Sequence, residues 1–261
     1  MSQVDESIAI VGYGYVGKAV HHGFSNMKVF ISDPKYTNLS VIEICQKKPL
    51  AIFICVPTPT SEDGQQYTSI FREVMSDISR ADYRGIIVIK STLLPQELIE
   101  INDLIEVIYN PEFLSHKTAN EDFINPEMLV LAGHRSEELL EIYRKYSIVR
   151  LDKVFITDLK TASFVKYAMN TFYATKIIFM NQLNEIVNAS DGDWEELTNI
   201  LKEHSWMGRE HYKVPGTDGK YGFGGQCFPK DAKAFLQMSK VLSKDFTLLE
   251  ETLKINEKIR G

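Results

Sequence analysis

The chain has few cysteines and no excess of positive charge. Its 261 residues include three cysteines, Cys45, Cys55 and Cys227, an odd number without paired spacing. A disulfide framework is therefore not expected, and a reducing compartment is. Cys45 and Cys55 sit in apolar surroundings and read as core packing. Lysine and arginine number 29 against 35 aspartates and glutamates, a formal net charge of −6, which argues against a nucleic-acid or anionic-membrane partner. No apolar run approaches membrane-spanning length, and the opening MSQVDES is polar and acidic, unlike a secretory leader. The expected location is cytoplasmic. No metal is expected, and there is no internal repeat or low-complexity tract. Hydrophobic residues at 44% and charged residues at 25% exclude a disordered class.

What the chain does have begins at Ile8. An apolar run leads into Gly12, Gly14 and Gly17 in the order G-x-G-x-x-G, followed by an amphipathic stretch. In this pattern the first glycine permits a tight turn, the second lets backbone approach a pyrophosphate, and the third lets helix and strand pack closely. A second apolar run, Lys28 to Ser32, ends in Asp33, about twenty residues past the first glycine, where a carboxylate can accept hydrogen bonds from a ribose diol. The expected cofactor is NAD, held by Gly12, Tyr13, Gly14, Tyr15, Val16 and Gly17, with Asp33 repelling the 2′-phosphate of NADP. Lys35 softens that preference.

Short apolar runs predict strands at Ser7 to Val11, Lys28 to Ser32, Leu50 to Cys55, Gly85 to Lys90, Val107 to Tyr109, Met128 to Ala132 and Val154 to Ile156. Runs of this kind alternating with helical segments predict an α/β fold: a Rossmann-type, mostly parallel sheet with helices on both faces. From Asp158 the pattern turns helical, with a long helix to about Val187 and a second at roughly Asp193 to His204. A loop rich in glycine and proline follows, then helix again with a break near Ser243 to Phe246. The expected domains are 1–157, binding NAD, and 158–261, a long central helix with a small all-helical domain.

Two constellations carry chemistry. GFGGQCFPKD places Cys227 in a glycine-rich turn just ahead of a helix, where amide dipoles and nearby Lys230 favour thiolate over thiol; the alternative is a buried cysteine in a tight loop. TASFVKYAMN places Lys166 and Asn170 four residues apart, so that one helix face can aim an ammonium and an amide at a developing oxyanion. Its alternative is an exposed pair on a solvated helix.

Taken together with CVPTPTSEDG, IKSTLLP, YNPEFLSHKTANEDFINPEMLVLAG and KYAMNTFYATKIIFMNQLNEI, these segments resemble the UDP-glucose/GDP-mannose dehydrogenase family, in the family's order and through nearly the whole chain. The resemblance implies a four-electron oxidation at C6 of a nucleotide sugar in polysaccharide biosynthesis, with two NAD per product. It implies that Cys227 carries a thiohemiacetal and then a thioester, and that Lys166 and Asn170 stabilise oxyanions. Asp231, Thr92 and Glu112 would orient or activate water. It also puts Val56, Pro57, Thr58, Ser91, Thr92 and Lys230 at the cofactor, and Phe113, Leu114, Tyr212, Phe223, Gly224 and Gly225 with Lys166 and Asn170 at the substrate. Thr58 and Thr92 equally suit simple capping. A homodimer through the central helix is expected, because a helical half without its own sheet has apolar faces to cover and relatives dimerise there.

Two departures stand out. Where the family reads PEFL, a residue, Glu and Gly, this chain has Ser115, His116 and Lys117, so His116 replaces a glutamate, and an imidazole can still exchange protons near neutrality. Relatives also carry a second Rossmann-like domain past the helical centre, where this sequence stops, so the chain alone is expected to bind NAD normally and oxidise UDP-glucose poorly. The loop from His211 to Gly225, with Lys213 and Lys220 beside Arg209 and upstream Trp206, can compensate if it closes over the nucleotide. Competing functions are a single-hydride 3-hydroxyacid dehydrogenase, which needs no thiol, and a low-activity or partner-dependent NAD-binding paralogue or fragment.

Overall fold

The computed structural model describes residues 6–61, 63–205, 207–208 and 210–261; the first five residues, Glu62, Trp206 and Arg209 lie outside the described ones. Among the described residues seven strands form one sheet: β1 (Ser7–Val11), β2 (Lys28–Ser32), β3 (Ala51–Ile54), β4 (Ile86–Ile89), β5 (Ile108–Tyr109), β6 (Leu129–Ala132) and β7 (Val154–Thr157). Between them run α1 (Tyr15–Gly23), α2 (Val41–Gln46), α3 (Ser69–Arg80), α4 (Pro95–Leu104), α5 (Ala119–Ile124) and α6 (Ser136–Tyr146). Four further helices follow: α7 (Leu159–Ala189), α8 (Trp194–Glu203), α9 (Phe228–Val241) and α10 (Thr247–Arg260). Every strand predicted from the apolar runs is present, and the predicted break falls between α9 and α10.

The chain folds as two compact units. The first runs to Pro59 and resumes from Tyr67 to Lys166; the second joins Thr60–Gln66 to Tyr167–Gly261.

In the first unit the sheet order is β2-β1-β3-β4-β5-β6-β7. All pairings are parallel except β5 with β6, which meet antiparallel at Tyr109 and Ala132. Side chains alternate between faces with the two-residue period of a strand. Ala9, Val11, Ile52, Ile54, Ile87 and Ile89 enter one core with residues of α2, α3, α4 and the start of α7. Ile8, Ile10, Ala51, Phe53, Ile86 and Val88 enter the other, with residues of α1, α5 and α6. Burial on both faces is why these strands are wholly apolar, and each fully buried Ile or Phe contributes roughly 1.5–3 kcal/mol. Cys45 belongs to the first core and Cys55 packs against the second; neither is in a disulfide.

The second unit is helical and has a smaller core of Ala174, Ile178, Phe223, Ala232, Leu249 and Leu253. Its short leading segment packs on α9: a Cβ at Gly64 would lie 2.6 Å from the Lys233 carbonyl oxygen. Gln66 also donates to the Tyr167 hydroxyl at 3.2 Å.

Candidate active site

In the first unit the strand order changes direction at β1, so the carboxyl ends of β1 and β3 open a crevice of the kind that receives nucleotides. Gly12 turns there with φ of +87°, and a Cβ on it would meet the Cys55 carbonyl and the Val56 nitrogen at 2.9 Å. A Cβ at Gly17 would lie 2.2 Å from the Gly12 carbonyl oxygen, so the turn closes on α1 only with glycine there. Gly14 faces open space and caps α1 with no side-chain hydrogen bond, leaving the amides of Tyr15, Val16 and Gly17 at a helix N-terminus suited to a pyrophosphate. Asp33 accepts from the Tyr13 amide at 2.7 Å and from the Lys35 amide at 2.9 Å. Each carboxylate oxygen has two lone pairs, so these bonds fix its orientation and still leave acceptor capacity. The cradle fits a dinucleotide.

The next turns lie beside it. Ser91 Oγ donates to the Val56 carbonyl at 2.6 Å and Thr58 Oγ1 to the Thr92 carbonyl at 2.8 Å. Both threonines thus sit in the joined turns after β3 and β4, with Thr58 acting as a tie between them and Pro57 exposed on the rim. Tyr15 packs its ring 5.1 Å from His116, which sets the departing histidine against the first residue of α1.

Lys166, on α7, is 4% exposed, which removes the solvated-helix alternative for it. Its Nζ donates to the Glu112 carbonyl at 2.6 Å and to Glu112 Oε1 at 3.1 Å. The Leu114 amide holds Glu112 Oε2 at 2.7 Å, and Lys166 Nζ lies 5.6 Å from the centre of the Phe113 ring. Burial alone would raise the Glu112 carboxyl, but the Lys166 charge, the Leu114 amide and the more distant Lys90 charge outweigh it and hold it below its ordinary value.

In the second unit Cys227 is the N-cap of α9, and Pro229 and Lys230 lie in the first turn. One turn on, Asp231 is 1% exposed and accepts from Asn170 Nδ2 at 2.5 Å and from Lys230 Nζ at 2.5 Å. Asn170 is itself buried, so an amide and a carboxylate meet within one helical turn of the thiol. Tyr212 is buried, its hydroxyl donating to the Met207 carbonyl at 3.2 Å with Lys176 Nζ 4.3 Å above its ring. Lys213 and Lys220 are exposed.

The glycine turn before Cys227 is held by residues that sequence reasoning missed. Asn181 Oδ1 accepts from the Gly222 amide at 2.9 Å, while Asn256 accepts from the Phe223 amide at 2.8 Å and donates to the Phe223 carbonyl at 3.1 Å. A Cβ at Gly224 would strike the Arg260 guanidinium, whereas Gly225 faces open space. The Phe223 side chain lies in the helical core. The available signal was asparagine at buried positions of α7 and α10, since it is a poor helix former that belongs there only with a backbone partner.

A parallel sheet with a glycine cradle at its switch point, followed by a helical unit carrying a capped thiol, defines a dinucleotide-dependent oxidoreductase architecture. The family's NAD-binding domain matches residues 26–148 and its central domain matches residues 160–258; the chain belongs to the UDP-glucose/GDP-mannose dehydrogenase family. It is 32% identical over 234 residues to a UDP-glucose 6-dehydrogenase of Rickettsia felis, covering 85% of this chain and 50% of that protein. The chain thus spans about half the length of the curated relatives it matches. A UDP-glucose dehydrogenase of Pyrobaculum islandicum shares the fold with a TM-score of 0.81 at 22% identity, over 97% of this chain and 68% of that one. A 3-hydroxyisobutyrate dehydrogenase of Mycobacterium tuberculosis shares it at 0.74 and 15%, over 97% and 93%.

Proposed function

We propose that this chain carries the NAD-binding and thiol-bearing portion of a nucleotide-sugar 6-dehydrogenase of the type that converts UDP-glucose to UDP-glucuronate. The observation that carries this reading is Cys227 capping α9 one turn from the buried Asn170–Asp231 pair, an arrangement that a single-hydride dehydrogenase does not need.

When bound, NAD is the hydride acceptor, and two molecules of it take the four electrons that separate a primary alcohol from a carboxylate. Cys227 supplies the nucleophile: its thiolate adds to the carbonyl carbon of the C6 aldehyde, and the sulfur stays bonded through the thioester stage. Water then attacks the acyl carbon, the carbon–sulfur bond breaks, and the thiolate returns. Lys166 and Asn170, four residues apart on α7, donate to the oxygen that bears negative charge at each stage. In this reading Asp231 and Glu112, both buried, hold water or take its proton, and Thr92 assists as a donor. Lys230 pairs with Asp231 and in this reading also reaches the cofactor. Phe113, Leu114, Tyr212, Phe223, Gly224 and Gly225 shape the substrate side.

We further propose that α7 joins two copies of the chain. Phe172, Phe179 and Ile186 recur every seven residues along it and are 64%, 55% and 64% exposed, an apolar ridge of the kind that a helix covers with a symmetry mate. The assignment of residues 1–157 and 158–261 to cofactor binding and to dimerisation with thiol chemistry belongs to the same reading, as does a cytoplasmic location. Among the described residues no helix is long and apolar enough to cross a membrane.

Screening nucleotide sugars for NADH formation by the purified chain, with UDP-glucose first, tests this function. Formation with one or more of them supports it, and none with any sugar while NAD still binds contradicts it in favour of an NAD-binding paralogue.

A further inference from the structure

Lys90, at the carboxyl end of β4, is a buried ammonium that the reaction as read above does not use. It is 4% exposed. Its Nζ donates to Asn110 Oδ1 at 3.1 Å and lies 5.3 Å from the centre of the Phe123 ring on α5. Asn110 is fixed in turn, accepting from the Tyr143 hydroxyl of α6 at 2.8 Å and donating to the Val130 carbonyl of β6 at 2.8 Å. Two residues beyond Asn110 is Glu112, and the charges acting on Lys90 are those of Glu112, Lys166 and Cys55.

Lys166 thus pairs with Glu112 directly, while Lys90, a second buried ammonium, is held on Asn110 two residues before it and acts on it by charge. A buried ion pair needs a single cation per anion, and a second costs desolvation and like-charge repulsion. Burial, helped by Lys166 and opposed by Cys55 and Glu112, brings Lys90 down to about 8. The Cys55 thiol is pushed up to about 12, chiefly by burial, so near neutral pH it is uncharged and Glu112 is the anion that Lys90 faces. Lys166 already spends two of its three N–H donors on Glu112. If it turns toward a reacting oxygen, Glu112 loses its nearer cation.

We propose that Lys90 is a positioning residue for Glu112: a second buried cation, fixed by Asn110, that keeps the carboxylate ionised while Lys166 serves the reacting oxygen. This rests on the reading that Glu112 and Lys166 act in the reaction.

The experiment follows the Glu112 carboxyl carbon by NMR across a pH titration of the glutamate-labelled chain, assigned by its disappearance in Glu112→Gln. In Lys90→Met the Glu112 titration moves to higher pH than in the wild type, and in Lys90→Arg it stays in place. If Lys90→Met does not fold, the lysine-labelled Glu112→Gln chain reads the same coupling: Lys90 titrates at lower pH than in the wild type. In turnover, Lys90→Met shifts the acidic limb of the kcat/KM profile to higher pH and lowers kcat more than it raises KM. An unmoved Glu112 titration in folded Lys90→Met, or an unmoved Lys90 titration in Glu112→Gln, overturns the role of Lys90 even where sugar acid forms. The NMR coupling in a chain that forms no NADH with any nucleotide sugar overturns the reading of the site instead.

Discussion

The two units solve the problem of a buried interior differently. The first surrounds a seven-stranded sheet with helices on both faces and buries hydrogen-bonded polar groups, Lys90 with Asn110 and Tyr143, Lys166 with Glu112. The second has a smaller buried core that includes Ala174, Ile178, Phe223, Ala232, Leu249 and Leu253, buries Asn170 with Asp231, and leaves Phe172, Phe179 and Ile186 exposed. In the proposed reading the ridge on the second unit's long helix is covered by a second copy of the chain. In the same reading the dinucleotide cradle belongs to the first unit and the nucleophile Cys227 to the second, so NAD affinity should survive a change at the thiol.

The largest expected effect is at Cys227. Cys227→Ser should keep NAD affinity within about twofold while sugar-acid formation falls by orders of magnitude, measured by calorimetry and product chromatography; loss of NAD affinity would merge the two roles that the comparison separates. Next is the ridge. Phe172→Glu with Phe179→Glu should convert a dimer to a monomer by light scattering at micromolar concentration, whereas a wild-type monomer there would remove the argument for a partner.

A pH effect belongs to the first unit. The unfolded chain holds the Lys90 proton up to its ordinary value of 10.5 and the folded chain only to about 8. Between those values the unfolded state binds more protons, so this group makes stability rise with pH, by roughly 3 kcal/mol across the window. Glu112, held below its ordinary value, acts in the other range: its contribution is present above its unfolded value and lost as pH falls through its folded one. Urea melts of the wild type and Lys90→Met from pH 7 to 10.5 check the first of these, and equal slopes in the two proteins would refute it.

In the second unit Asn256→Leu removes the side chain that bonds both the amide and the carbonyl of Phe223 and should cost about 1–3 kcal/mol, with a matching fall in Cys227 reactivity toward a thiol reagent as the glycine turn loosens. The smallest effect expected is the cofactor preference. Asp33→Ala should narrow the gap between NAD and NADP affinity, and calorimetric titration of both decides it; equal binding of the two by the wild type would sink the Asp33 assignment.

Much of the first unit was legible because its strands are short, mostly apolar and separated by helices, and because Gly12, Gly14, Gly17 and Asp33 follow a spacing with one physical purpose. The antiparallel β5–β6 pairing was not legible, since β5 is two residues long and a strand buried on both faces looks the same in either direction. The recruitment of Thr60–Gln66 into the second unit was hidden for another reason: CVPTPTSEDG is one continuous segment of sequence, whereas the structure divides it at Pro59. In the candidate site the groups with chemical reputations, Cys227, Lys166 and Asn170, could be singled out from their local pattern, and Asp231 from the family resemblance. Lys90, Asn181 and Asn256 could not, because their importance lies in what they touch across 20 to 41 residues of chain.

The most direct test of the account is to count NADH released per UDP-glucose consumed by the purified 261-residue chain, alongside its Cys227→Ser variant. The account predicts two NADH for each sugar acid formed by the wild type and no more than one per sugar consumed by the variant. One NADH per sugar from the wild type, or two from the variant at the wild-type rate, would contradict it.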